Sequence, residues 1–128
     1  MPAPRTPPLN EGRRIIICDY HALLLSVTGL LRMSGYRVFQ AYDAYAVEEL
    51  CVQLPDIDLL ILNTFGTGVD LPDLIQRVRA SKPGLPVLHI GADTPADLPA
   101  DVPTIPEAFT PDHLVMAVAA LMPEPSAT

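Results

Sequence analysis

Apolar residues along this chain fall into two alternating patterns: short unbroken runs, and stripes spaced three or four positions apart. Residues 13–18, Arg-Arg-Ile-Ile-Ile-Cys, form the first run and stop at Asp19. A run of that length without polar alternation predicts a strand buried on both faces. Leu23, Val27, Leu30 and Leu31 then recur at helical spacing, so a helix is predicted over 21–33, with Gly35 as its stop. Residues 36–40 alternate as a second strand. Asp43 is placed to cap a second helix whose inner face is Val47, Leu50, Cys51 and Leu54, and Pro55 ends it.

The same unit repeats in the second half. Residues 58–63, Asp-Leu-Leu-Ile-Leu-Asn, read as a third buried strand, followed by a loop with Gly66 and Gly68 and a helix over 71–81 with Leu74, Ile75 and Val78 inward. Pro83-Gly84 breaks that helix. Residues 86–90 give a fourth strand and 102–105 a short fifth. Thr110-Pro111 is an N-cap followed by proline at the first helical position, opening a last helix with Leu114, Val118 and Leu121 on one side. Strands alternating with helices predict an α/β fold, a doubly wound parallel sheet with helices on both faces.

One unit departs from this rhythm. Between the fourth and fifth strands, prolines stand at 95, 99 and 103. Each interior proline removes a donor and clashes with the preceding turn, at a cost of about 3 kcal/mol. The helix expected there is therefore a single turn, Thr94 cap and residues 95–98, or is missing. Leu98 and Val102 must then pack down in its place or remain exposed.

Composition narrows the classes. With 128 residues, the chain has the size of one domain, predicted over 13–122, with proline-rich disordered tails at 1–12 and 123–128. The opening residues lack the apolar core of a secretory signal, and no apolar run approaches the roughly 20 residues that span a bilayer, so a cytoplasmic protein without membrane attachment is expected. A formal charge of −7, with one lysine and seven scattered arginines, offers no basic patch and argues against a nucleic-acid partner. Cys18 and Cys51 suit reduced, buried thiols.

In an open α/β sheet the binding crevice lies beyond the carboxyl ends of the strands. The residues that end them here are Asp19, Tyr20, Asn63, Gly91 and Glu107. Asp19-Tyr20-His21 after the first strand, the segment 55–63, the strand 86–90 and Ile105-Pro-Glu-Ala-Phe109 resemble, in order and spacing, the motifs of CheY-like receiver domains of bacterial response regulators. The resemblance covers 13–122 and implies a three-layer, five-stranded sheet of order 2-1-3-4-5. It also implies which positions carry the family's chemistry. Receivers hold Mg²⁺ with two acidic residues after strand one and an aspartate ending strand three, which accepts the phosphoryl group; a hydroxyl after strand four and a lysine after strand five bind its oxygens. Here those positions are Asp19 and Tyr20, Asn63, Gly91 and Glu107, with Ala108 in place of the following proline. The aromatic switch position on strand five is Thr104.

These departures bear on the chemistry. A carboxamide cannot form an acyl phosphate, because the attack on phosphorus requires a carboxylate oxygen. Mg²⁺ is a hard cation that favours carboxylates, and the set of three is reduced to Asp19, a weak ligand at best. Glu107 reverses a charge that would balance phosphoryl oxygens. Other readings of the residues stand beside these. Asn63 can serve as a turn former, Asp19 can bond loop amides or touch a cation weakly, and Tyr20 can fill the space left by the metal. His21 and His89 read as packing or capping residues.

The expectation is an atypical single-domain receiver, not an enzyme, with no catalytic residue, no metal and no cofactor. It would act in two-component or phosphorelay signalling through a protein partner: a kinase, another regulator or itself, as monomer or weak homodimer. The alternatives are a receiver that retains weak Mg²⁺ or phosphoryl-analogue binding, and a vestigial pocket re-used for a small ligand.

Overall fold

The computed structural model describes residues 13–18, 21–54, 56–63, 70–91, 98–106 and 108–122, without the side chains of 21–24. Five parallel strands, β1 (Arg14–Cys18), β2 (Arg37–Ala41), β3 (Ile57–Asn63), β4 (Val87–Ile90) and β5 (Thr104–Ile105), form one sheet of order β2-β1-β3-β4-β5. Among the described residues four helices complete the order: α1 (His21–Met33), α2 (Ala44–Gln53), α3 (Leu71–Ser81) and α4 (Pro111–Leu121). The expected tails, together with Asp19, Tyr20, Glu107, Gly66, Gly68 and the possible helical turn at 94–97, lie outside the described residues.

Strand alternation sends side chains to opposite faces of the sheet and so builds two cores. Ile15, Ile17, Leu59, Ile61, Leu88 and Ile90 pack under α1 and α4, through Val27, Leu31, Leu114 and Val118. Ile16, Leu60, Leu62 and Val87 pack under α2 and α3, through Val47, Cys51, Leu74, Ile75 and Val78. The central strands are mostly apolar, with Arg14, Asp58, Asn63 and His89 as the exceptions, because both of their faces are covered, which is why they lack a polar alternation.

Local chemistry sets the helix ends. Asp43, Asp70 and Thr110 each accept a hydrogen bond from the backbone three residues on, at 2.8, 3.2 and 3.1 Å. Gly35 closes α1 at φ 97°, a left-handed position that suits glycine, while the Tyr36 N–H donates back to the Leu31 carbonyl at 3.2 Å. Cys18 and Cys51 are buried and form no disulfide, and burial raises the Cys51 thiol above its usual value.

Between β4 and β5 the described part of the chain, 98–103, contains no helix. It packs down: Val102 is buried and Leu98 half-buried against the second core. β5 is two residues long instead of the four expected: Pro103 accepts a bond from the His89 N–H at 2.9 Å but has no N–H of its own to donate, and Val102 and Pro103 are not part of the strand. Arg79 of α3 holds the segment in place. Its guanidinium donates to the Leu85 carbonyl at 2.9 and 3.0 Å and grips the Asp101 carboxylate at 2.8 and 3.2 Å.

That clamp supports two expected results. Arg79→Met keeps much of the apolar stem but loses these bonds, and should lower the unfolding free energy by about 1–2 kcal/mol in urea titration. The hydrogen bond from Arg79 also holds the Asp101 carboxyl below its usual value. The folded pKa is therefore depressed, so the contribution is present at neutral pH and is lost as pH falls below the ordinary carboxylate range, through the folded value. With 67% of its side chain exposed, Asp101 is screened and contributes only modestly.

Candidate functional site

The parallel register brings the carboxyl ends of the inner strands to one edge. Cys18 stands opposite Leu62, Asn63 opposite Ile90, and Ile90 opposite Ile105. Asp19 and Tyr20 follow directly on Cys18 in the chain, as Gly91 follows Ile90.

Asn63 ends β3, the central strand, and is 1% exposed. Among the described residues no buried side-chain nitrogen or oxygen lacks a hydrogen-bond partner, so this carboxamide is a satisfied group. Gly91 is buried directly after β4, and its N–H donates to the Ile105 carbonyl at 3.0 Å. Asn63 and Gly91 thus lie on neighbouring strand ends, as their sequence positions implied. Asp19, Tyr20 and Glu107 fall outside the described residues.

Thr104 begins β5, half-buried, and lies opposite His89. Thr104 Oγ1 and His89 Nδ1 share a hydrogen bond at 3.0 Å. His89 is 0% exposed, and burial alone lowers its pKa from the ordinary imidazole value. The sequence marked His89 as a packing residue, and the structure adds its partner. The available signal was the single polar side chain in the run Val87-Leu-His-Ile90; which residue it meets depends on β4–β5 register, which local spacing does not carry.

Two surface grooves of about 570 Å³ each lie away from this edge. One is at the amino ends of β3 and β4, lined by Asp58 and Lys82 among others, and the other lies between α3 and Pro99. Among the described residues no group of three His, Cys, Asp or Glu side chains is placed to hold a metal ion.

No protein-family profile matches the sequence, and no curated protein matches it either. Solved structures do match. The chemotaxis protein CheY4 of Vibrio cholerae is similar with a TM-score of 0.77 at 15% identity, over 87% of this chain and 99% of that one. A response regulator receiver protein from Sinorhizobium medicae gives 0.76 at 22% identity, over 87% and 94%. The receiver domain of the hybrid histidine kinase CckA gives 0.73 at 26% identity, over 88% and 100%. The structural neighbours are thus CheY-like receiver domains, and the likeness establishes the fold.

Proposed function

We propose that the chain is a receiver-like signalling module of two-component or phosphorelay type that works through protein contacts and without phosphoryl transfer. The observation that carries this reading is Asn63: a buried carboxamide ends the central strand of a CheY-like sheet, where receivers have the carboxylate that attacks phosphorus. A carboxamide does not supply that nucleophile. Gly91 on the adjacent strand end has no hydroxyl to offer a phosphoryl oxygen, and Glu107 would repel one.

The donor set fits Mg²⁺ poorly. One carboxylate from Asp19, a phenol from Tyr20 and a carboxamide from Asn63 replace the carboxylates that a hard dication favours. The module so proposed is not an enzyme and needs no cofactor.

The partner is a protein: a kinase, another regulator or a second copy of the chain, with the module as monomer or weak homodimer. The acidic net charge of −7 disfavours nucleic acid. A cytoplasmic location belongs to the same proposal; among the described residues no helix is long and apolar enough to cross a membrane.

An NMR titration with Mg²⁺ tests this reading. The amides of Asn63 and Gly91 should show no saturable shift up to about 1 mM Mg²⁺. Sharp, saturating shifts below that concentration would instead assign the chain to receivers that keep their metal site.

A further inference from the structure

Helix α1 carries its exposed residues in a symmetrical pattern. Among its described side chains, those that face solvent are Leu25, Ser26, Gly29, Arg32 and Met33: two stand four and three positions before Gly29, and two stand three and four positions after it. Residues at these spacings share one face of a helix. Leu25 is 54% and Met33 88% exposed, although both are large and apolar. Val27 and Leu31, on the other side, take up the packing against the sheet.

Among the described residues nothing accounts for Gly29. Glycine inside a helix is less favourable than alanine, because it fixes a freer backbone and buries no side chain. Its backbone is not left-handed, and a Cβ added there would meet no neighbouring atom within 4 Å. Neither a turn nor a close neighbour in the same chain calls for a residue without a side chain. A second backbone approaching from outside would.

Charge indicates what approaches. The chain has 15 acidic and 8 basic residues, so two copies repel over most of their surfaces. α1 has no acidic residue, and its arginine, Arg32, donates to the Val38 carbonyl at 2.9 Å. The exposed apolar residues of α2 are less suited to a second copy. Tyr45 and Val52 flank the exposed Glu49 there, and a two-fold contact would set like carboxylates against each other. α4, packed on the same core as α1, adds exposed Met116, Ala119 and Ala120 to the outer surface of its layer.

We propose that α1 is the contact between two copies of this chain, with antiparallel helices crossing at Gly29 about a two-fold axis. Such a contact is isologous, so the pattern must match itself in reverse, and this one does. Leu25 of each copy packs on Met33 of the other, Ser26 meets Arg32, and the two glycines let the backbones close together. The face is small beside the roughly 20–30 residues a side of a stable interface, so association is weak, with Kd about 0.1–1 mM. For its role in signalling the contact rests on the reading that the module works through protein contacts.

Sedimentation equilibrium of the full chain from about 10 µM to about 1 mM, without Mg²⁺ or a phosphoryl donor, tests the proposal. The average mass should rise towards that of a dimer. Gly29→Gln adds a helix-favouring side chain in open space, so it should keep or raise the urea midpoint at low concentration while weakening association by about tenfold or more. Met33→Lys and Val52→Lys change the net charge equally, but only the first should weaken association. The two-fold axis has its own readout. Under mild oxidation Gly29→Cys should cross-link to itself, whereas Met33→Cys should not, because two copies of position 33 lie about 12 Å apart along the helix axes. A chain that stays monomeric at about 1 mM, a dimer that persists in Gly29→Gln and Met33→Lys, or faster cross-linking at 33 than at 29 would overturn the proposal. None of these results bears on whether position 63 accepts a phosphoryl group, so this test and that of the phosphorylation-independent reading fail separately.

Discussion

Asn63→Asp is expected to destabilise the protein at neutral pH and to leave it a poor phosphoryl acceptor. Position 63 is 1% exposed at the end of the central strand, next to Leu62 and opposite Ile90. A carboxylate there gives up its hydration, and burial favours the neutral acid, so its folded pKa rises above the ordinary value. The sign follows: below about pH 3.9 the acid is neutral in both states and the loss is small, and it grows as pH rises towards the folded pKa. The unfolding free energy from urea titration should fall by about 2–4 kcal/mol at neutral pH, and by less than about 1 kcal/mol near pH 4. Unchanged or increased stability at neutral pH would mean that a positive group faces position 63. In the chemistry, the variant recovers the nucleophile alone. Tyr20, Gly91 and Glu107 remain, and phosphorylation at a rate ordinary for a receiver would show that these positions matter less than their charge and chemistry imply.

Much of the fold was legible because parallel strands buried on both faces leave a strong trace. Runs such as Ile15-Ile-Ile17 and Leu59-Leu-Ile-Leu62 have little other use in a chain of this size. Helix starts were legible for a local reason, since Asp43 and Thr110 satisfy amides three residues ahead. The prolines at 99 and 103 likewise explain why 98–103 lacks a helix, and the burial of Val102 follows from the core left open there.

What the sequence did not reveal depends on distant partners. Arg79 and Asp101 lie 22 positions apart, and His89 and Thr104 lie 15 apart. No spacing rule joins such pairs; each requires the register and the path of the 98–101 segment. The length of β5 escaped for a related reason: residues 102–105 read as strand, but only Thr104 and Ile105 enter the ladder, where the edge is flanked by Pro103 and Pro106. At the candidate site, Asn63 and Gly91 were placed on adjacent strand ends by the order of the motifs, and the parallel register puts them there.

The second large effect expected from the proposed function is the absence of a reaction. A receiver aspartate attacks the phosphorus of a small donor such as acetyl phosphate, displaces acetate and becomes an acyl phosphate, while Mg²⁺ and a lysine balance the charge on the oxygens. At position 63 the attacking atom would be a carboxamide oxygen, a weak nucleophile toward phosphorus. On the proposed reading the other positions act in the same direction: Tyr20 stands in place of a carboxylate, Gly91 of a hydroxyl, and Glu107 of a cation. Intact-mass spectrometry of the full chain after incubation with acetyl phosphate and Mg²⁺ tests the central claim most directly, with the starting mass checked for deamidation of Asn63. The expected result is a mass unchanged from the untreated protein. A mass increased by one phosphoryl group, and restored by hydroxylamine as an acyl phosphate would be, would contradict the account.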